Sequence, residues 1–264
     1  MEMIKLLKAL KNEMLKIFKS KKLYIVLVIL FLYQLLMAYG TSQLAKEEIM
    51  FGFISGLSFP LFFLSESISS LILLFCIVLI SGTISDENNE GTLKLSLIRP
   101  ITRNEFFTAK IISSFLLILF MLTITFFTAL LSGALFLGLE GNFYYSLGQE
   151  ISKSEGLIKT IFYYIFSLFP LAGFSMIIIF FSNIFKKTAL TITSSIGILF
   201  LFQIISVILE KSKIFIITNH FDISKYIFQD IDKDFYSSFF IILGYIIIFS
   251  TINFVYFNKK DILN

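Results

Sequence analysis

Charge is what this chain has least of. Of its 264 residues only 15% are Asp, Glu, Lys or Arg, against 57% hydrophobic, and the mean hydropathy is +0.89. A water-soluble domain must cover its surface with polar side chains and usually carries about 25% charged residues, so a soluble fold is excluded. Cysteine is nearly absent as well. Cys76 stands alone, which excludes an internal disulfide, and its place inside an apolar run suits a small buried or lipid-facing side chain. The single histidine, His220, excludes sites built on two imidazoles, including the paired-His metalloprotease helix and most His-rich transition-metal centres. A lone histidine in a loop reads as solvated. No Gly-Lys-Ser or Gly-Lys-Thr occurs, which removes the phosphate-cradling loop of nucleotide-hydrolysing proteins. If ATP drives this protein, another subunit binds it.

What is present is a succession of apolar runs, separated by short polar segments, that suits a chain whose solvent is lipid. The first, residues 23–39, has about 17 residues and so spans roughly 26 Å as a helix, just enough to cross a bilayer. The second covers 61–84, interrupted near its start by Ser65-Glu66-Ser67, with a further apolar stretch at 50–57 ahead of it. Glu66 reads as an interfacial carboxylate. The third, 111–139, is long enough to tilt or to protrude into water. The fourth, 160–185, contains Pro170, which removes a backbone hydrogen bond and predicts a kink or break. The fifth and sixth are 188–209 and 239–257. The expected architecture is all-α: one transmembrane domain over 1–264 with six membrane-spanning helices. Residues 140–157 read as a small polar loop. The segment 210–238 mixes apolar residues with charges and predicts one or two short helices lying against the membrane surface.

The distribution of Lys and Arg fixes the expected orientation, because cationic loops are retained in the cytoplasm more readily than they are translocated. With both termini inside, the cytoplasmic segments hold 15 of the 22 cations and 7 of the 18 acids, so the inner face is formally +8 and the outer face −4. The chain therefore reads as a multi-pass cell-membrane protein with cytoplasmic N- and C-termini. Residues 1–22 could form the basic start of a signal peptide, but the segment is too long and too patterned for that. Met3, Leu7, Leu10, Met14, Ile17 and Phe18 recur at helical spacing, while Lys5, Lys8, Lys16 and Lys19 take other faces. This predicts an amphipathic helix in the inner interface of the lipid bilayer.

The stretch 85–110 carries the most information. An acidic helix end leads to Gly91, suited to a turn, and then to Leu93, Leu95, Leu97 and Ile98, which need a covering surface. Arg99-Pro100 stops the segment, because the residue before a proline disfavours helix. Thr102 and Glu105 have capping-box spacing, so a helix is expected to start near Arg103 and feed into the third span. The expected result is two short helices joined by a proline turn.

The string Glu90-Gly91-Thr92-Leu93, then Leu95, then Pro100-Ile101, Arg103 and Lys110 resembles the cytoplasmic signature of ABC-2 type transporter permeases, the membrane subunits of bacterial ABC exporters. The Lys-rich amphipathic start and the six-span layout resemble that family too. The resemblance implies a permease without its own ATPase site, working as two six-span halves, identical or not, on ATP-binding subunits. It implies that Glu90, Gly91, Thr92, Leu93, Leu95, Leu97, Arg99, Pro100 and Arg103 form or adjoin the coupling helix, the leucines as interface side chains and the arginines as rim contacts. No cofactor would be held by this chain, since ATP and Mg would sit on the partner subunit; no nucleic-acid partner is implied. The expected substrate is an amphipathic peptide, bacteriocin or hydrophobic compound.

The competing classes lack their residues. An intramembrane protease or lipid-modifying transferase needs paired ionisable groups within the spans, where this sequence has almost none. A secondary transporter or channel not driven by ATP remains the alternative, although coupling-ion ligands near the midplane are missing too.

Overall fold

The computed structural model describes residues 2–46, 55–91, 102–139, 142–145, 149–209, 213–228 and 233–259. Six helices are long and apolar enough to cross a membrane, and the chain is an all-α polytopic membrane protein. Helix α1 (Glu2–Lys19) is separated from the first span, α2 (Lys21–Lys46), by Ser20 alone. Its last turn carries Lys16 and Lys19, which complement the negative end of the helix dipole. The second span is composite, running through α3 (Phe59–Ser67), a π-helical turn (Ile68–Ile72) and α4 (Leu73–Asn89). Pro60 sits in the first turn of α3, where its missing N–H costs nothing. Glu66 lies on the exposed side of α3.

The third span, α5 (Arg103–Phe136), is one continuous helix. The expected capping box is formed: Thr102 Oγ1 accepts from the Glu105 N–H at 3.2 Å and Glu105 Oε2 accepts from the Thr102 N–H at 2.7 Å. The helix expected to start near Arg103 does so and feeds directly into the third span, while the other short helix, expected ahead of Arg99-Pro100, falls outside the described residues. Residues 85–89 close α4, the acidic helix end expected ahead of Gly91.

The polar loop expected over 140–157 is corrected. Strands β1 (Phe143–Tyr145) and β2 (Gln149–Ile151) pair antiparallel, with Phe143 opposite Ile151, and Phe143 is fully buried. Phe143 and Tyr145 are buried on either side of a half-buried Tyr144, a two-residue period that suits a strand with one face covered. The fourth span consists of α6 (Lys153–Phe166) and α7 (Leu168–Ile184). The break falls at Ser167, three residues ahead of Pro170, where the absent proline N–H leaves a carbonyl of the preceding turn without its helical partner. Helix α7 is the hub of the bundle, packing against α4, α5, α8 (Thr188–Ile208) and α10 (Lys233–Lys259). Phe174 and Ile178 are fully buried there, whereas Val207 of α8 is 78% exposed on the lipid-facing outside.

The segment between the last two spans holds two 3₁₀ turns (Lys213–Phe215 and Ile217–His220) and the short helix α9 (Ser224–Phe228), more pieces than the one or two helices expected. These cap one end of the bundle. Tyr163 of α6 donates to Asp222 at 3.1 Å, Tyr245 donates to the Phe215 carbonyl at 3.1 Å, and Tyr145 stacks on Phe228 with ring centroids 4.3 Å apart. His220 is not solvated as expected. It is 9% exposed, with Nε2 against the Ile214 carbonyl at 2.6 Å and Nδ1 against Ser238 Oγ at 2.8 Å. Burial pushes its pKa below the ordinary histidine value, Lys225 adds to that, and the Ile214 contact opposes it.

The opposite end gathers α1, the end of α4, the start of α5, the α7–α8 turn and the end of α10. Ser182 Oγ accepts from the Ser85 N–H at 3.0 Å, and Arg103 Nη1 donates to the Asn258 carbonyl at 3.1 Å. Both described ends of the chain therefore lie at the same end of the bundle.

Candidate functional site

The end of the bundle that carries both described ends of the chain also carries a cluster of four ion pairs. Lys110 lies two turns into α5 beside Ala109, Ser113 and Ser114, small residues that leave room for its stem, and its side chain has no exposure. An ammonium without water must be surrounded by acceptors or be strongly destabilised. Lys110 Nζ is 2.9 Å from Glu13 Oε2 of α1, 3.0 Å from Glu87 Oε2 of α4 and 2.5 Å from the Thr83 carbonyl. The other oxygens of the same carboxylates take Lys16, Glu13 Oε1 at 2.8 Å and Glu87 Oε1 at 2.5 Å. The result is a ring of alternating sign, Lys16–Glu13–Lys110–Glu87, formally neutral and drawn from three helices.

The electrostatics follow from that closure. Burial alone pushes the Glu13 carboxyl up, but Lys110 and Lys16 together hold it below the ordinary carboxylate value. Burial likewise disfavours the charged Lys16, and its hydrogen bonds to Glu13 and Glu87 more than offset this, raising its pKa. All four carboxylate oxygens face a lysine, so the ring offers no spare ligand atom. Chemically it is a clamp: it fixes α1 against α4 and α5. The apolar wall beside it continues the attachment, with Phe18 meeting Phe120 edge-on at 5.0 Å. The face of α1 turned to the protein centres on Ala9 and Glu13, while Leu7 and Leu15 are 56% and 46% exposed. Leu7, expected on the apolar face of a helix lying in the bilayer interface, is thus on the side of α1 turned away from the bundle.

Beside the ring a cleft of about 550 Å³ opens between the α1–α2 junction and α4. Ile17, Leu23, Leu79 and Leu117 form its apolar part, and Lys22, Asp86 and Glu90 lie at its charged part. Lys22 pairs with Asp86 at 2.8 Å, and the Thr188 hydroxyl donates to the other Asp86 oxygen, tying α8 to the same corner.

Of the residues expected to couple to a partner, three are described. Glu90 follows α4 and is exposed, its N–H bonded to the Asp86 carbonyl at 2.9 Å. Gly91 is exposed with φ +70°, the left-handed region that favours glycine. Arg103 opens α5 and is half-buried against the end of α10 rather than standing free. Thr92, Leu93, Leu95, Leu97, Arg99 and Pro100 lie outside the described residues. The sequence reading singled out Lys110 but missed its partners. The available signal was a sign mismatch: Glu13 is an acid on a Lys-rich helix, and Lys110 is a cation at the mouth of an apolar run.

A six-span helical membrane protein with an amphipathic helix clamped to one end is the class this fold and site define. The chain belongs to the family described as "Protein of unknown function (DUF2705)", whose model matches residues 25–263. It is also similar to the "Uncharacterized protein YhcI" of Bacillus subtilis (strain 168), 38% identical over 68 residues, which are 26% of this chain and 22% of that protein. The chain thus matches less than a quarter of the length of that curated relative.

Proposed function

We propose that this chain is the membrane subunit of an ABC exporter, forming the pathway through the cell membrane and driven by a separate ATP-binding subunit. The observation that carries the reading is the connection between the second and third spans. Its sequence, from Glu90-Gly91-Thr92-Leu93 to Arg103 and Lys110, resembles the ABC-2 permease signature. The final lysine of that string is the buried hub joining α5 to α1 and α4. A docking segment transmits force only if its flanks are stiff, and here both flanking helices are tied to a third through the ring. ATP-driven closure of the partner would move this corner as a rigid body and pass the motion to the spans.

The charge distribution supports cytoplasmic termini, with 15 of 22 cations on that side. A second six-span half, a copy or a different permease, completes the pathway; ATP and Mg bind to the partner ATPase, and this chain performs no catalysis. The substrate class is an amphipathic peptide, bacteriocin or hydrophobic compound.

The test is affinity purification of the tagged chain from membranes, with mass spectrometry and an ATPase assay of what accompanies it. A stoichiometric ATPase subunit is expected; recovery of the chain alone in several mild detergents overturns the reading in favour of a transporter or channel not driven by ATP. In the reconstituted complex, Gly91→Trp should preserve assembly and uncouple ATP hydrolysis from transport, and full transport by that variant sinks the coupling assignment.

A further inference from the structure

The cleft beside the ion ring has a composition that selects a ligand. Its volume of about 550 Å³ falls in the range of small-molecule sites, roughly 300–1,000 Å³. Leu79 and Glu90 both line it, and their separation along α4 corresponds to roughly 16 Å of helix. A molecule filling it therefore meets leucines at one end and charges at the other. Most of those charges are already neutralised within the protein. Lys16 is engaged by Glu13 and Glu87, and Lys22 by Asp86. Glu90 is what remains: exposed, lining the cleft, and without an ion-pair partner among the described residues. It follows the last turn of α4, so the negative end of that helix dipole adds to its charge. Both lysines being spoken for, an anionic headgroup would have to displace an internal pair, whereas a cation meets a carboxylate that has no ion-pair partner among the described residues. The cleft also adjoins α1, whose exposed Leu7 and Leu15 suit contact with the lipid interface, so an amphiphile reaches it from the membrane.

We infer that this cleft binds an amphiphile with an ammonium headgroup, an alkyl chain lying along Ile17, Leu23, Leu79 and Leu117 and the cation against Glu90. The site goes beyond the transport reading, since it needs neither ATP nor the partner ATPase. Such an ammonium comes either from a lipid with an amine headgroup or from a free cationic amphiphile.

The experiment uses the full chain in nanodiscs of an uncharged glycolipid, diglucosyl diacylglycerol, without any ATPase, and tritiated dodecyltrimethylammonium as probe. Empty nanodiscs supply the background, and tritiated dodecyl sulfate tests the sign of charge. Saturable binding of about one cation per chain is expected, with no saturable sulfate. Glu90→Gln should weaken the cation about fivefold, the weight of one partly exposed charge contact. Leu79→Trp, which fills the apolar end, should weaken it at least as much, while Glu66→Gln, the exposed acid on α3, should leave it unchanged. With phosphatidylethanolamine in the nanodiscs, a lower apparent affinity for the probe supports the site with a lipid amine as its resident. An unchanged affinity supports the site with a free cation as its ligand. Binding no greater than that of empty nanodiscs, equal binding of the sulfate, or wild-type affinity in both cleft variants overturns the proposal.

Discussion

Replacing Lys110 by Met removes the charge and keeps most of the stem, which isolates the electrostatic role of the ring. The lysine side chain has no exposure, and those of Glu13 and Glu87 have 9% and 11%. Without the ammonium, two carboxylates face the same dry point with only Lys16 to share. Removing one partner of a buried pair costs about 3–5 kcal/mol, which for a chain of this size is a melting shift of roughly 6–20 °C. Lys22→Met is the internal comparison. Its pair with Asp86 is just as short at 2.8 Å, but the two side chains are 52% and 38% exposed, so its loss should cost less than about 1 kcal/mol. Cys76 supplies the assay: it is 1% exposed and the chain has no other cysteine, so a thiol-reactive fluorophore reports the temperature at which α4 opens. The pH dependence separates charge from packing. In the wild type the Glu13 carboxyl lies below its ordinary value, so the unfolded chain takes up its proton first and Glu13's stabilisation is lost as pH falls through the folded value. In Lys110→Met the crowded carboxylates bind protons more readily in the folded state. The gap between variant and wild type should therefore narrow from pH 7 to pH 5. A Lys110→Met loss no larger than that of Lys22→Met, or a gap that widens on acidification, refutes the account of the ring.

Four further substitutions test other parts of the fold. The pKa of His220 is lowered in the folded state, so its contribution is complete above the unfolded value and declines as pH falls through about 6.5. Melting scans at pH 7.5 and 5.5 should show that slope in the wild type and a shallower one in His220→Gln. At Gly133 an added methyl would sit 2.5 Å from the Gly56 carbonyl oxygen and 2.8 Å from Phe59 Cβ, so Gly133→Ala should destabilise by about 1–3 kcal/mol. Gly197 has nothing within 4 Å of such a methyl, and Gly197→Ala in the same assay should be neutral or stabilise by up to about 1 kcal/mol. Asn253, fully buried, accepts from Asn183 at 2.8 Å and donates to the Met176 carbonyl at 2.9 Å; Asn253→Leu should cost about 1–3 kcal/mol by stranding those groups, and an unchanged melting temperature would count against the α7–α10 seam.

The spans were legible because their signal is local and strong: an apolar run long enough to cross a bilayer is nearly sufficient evidence for a helix there. The proline break and the Thr102 cap were legible for the same reason, each being a short-range consequence of one or two residues. The caps at the other end were not. Phe143 and Tyr145 sit in a short mixed segment, and the rings are stacked on the distant Phe228, supplied by the chain between the last two spans, a partner no local pattern announces. His220 was misread on the same grounds, since its partners Ile214 and Ser238 become meaningful only when a 3₁₀ turn brings the ring back onto α10.

The ion ring marks where local reasoning stops and what replaces it. Glu13 and Lys110 are 97 residues apart, so no periodicity links them, and each by itself looks like an ordinary charge near a membrane boundary. Taken together they are two opposite charges at positions where the surrounding pattern demands apolar side chains, and burying either without the other is prohibitive. Such a pair can persist only if the two elements dock, which makes the mismatch a prediction of contact between α1 and α5. The same reasoning assigns α1 a mechanical role that amphipathicity alone does not supply. A helix held only by lipid would yield to any displacement of α4 or α5, whereas one joined to α4 through Lys16 and to α5 through Glu13 must follow them. Any force applied where Gly91 leaves α4 and Arg103 enters α5 is therefore shared by three helices, and through Ser20 by the first span.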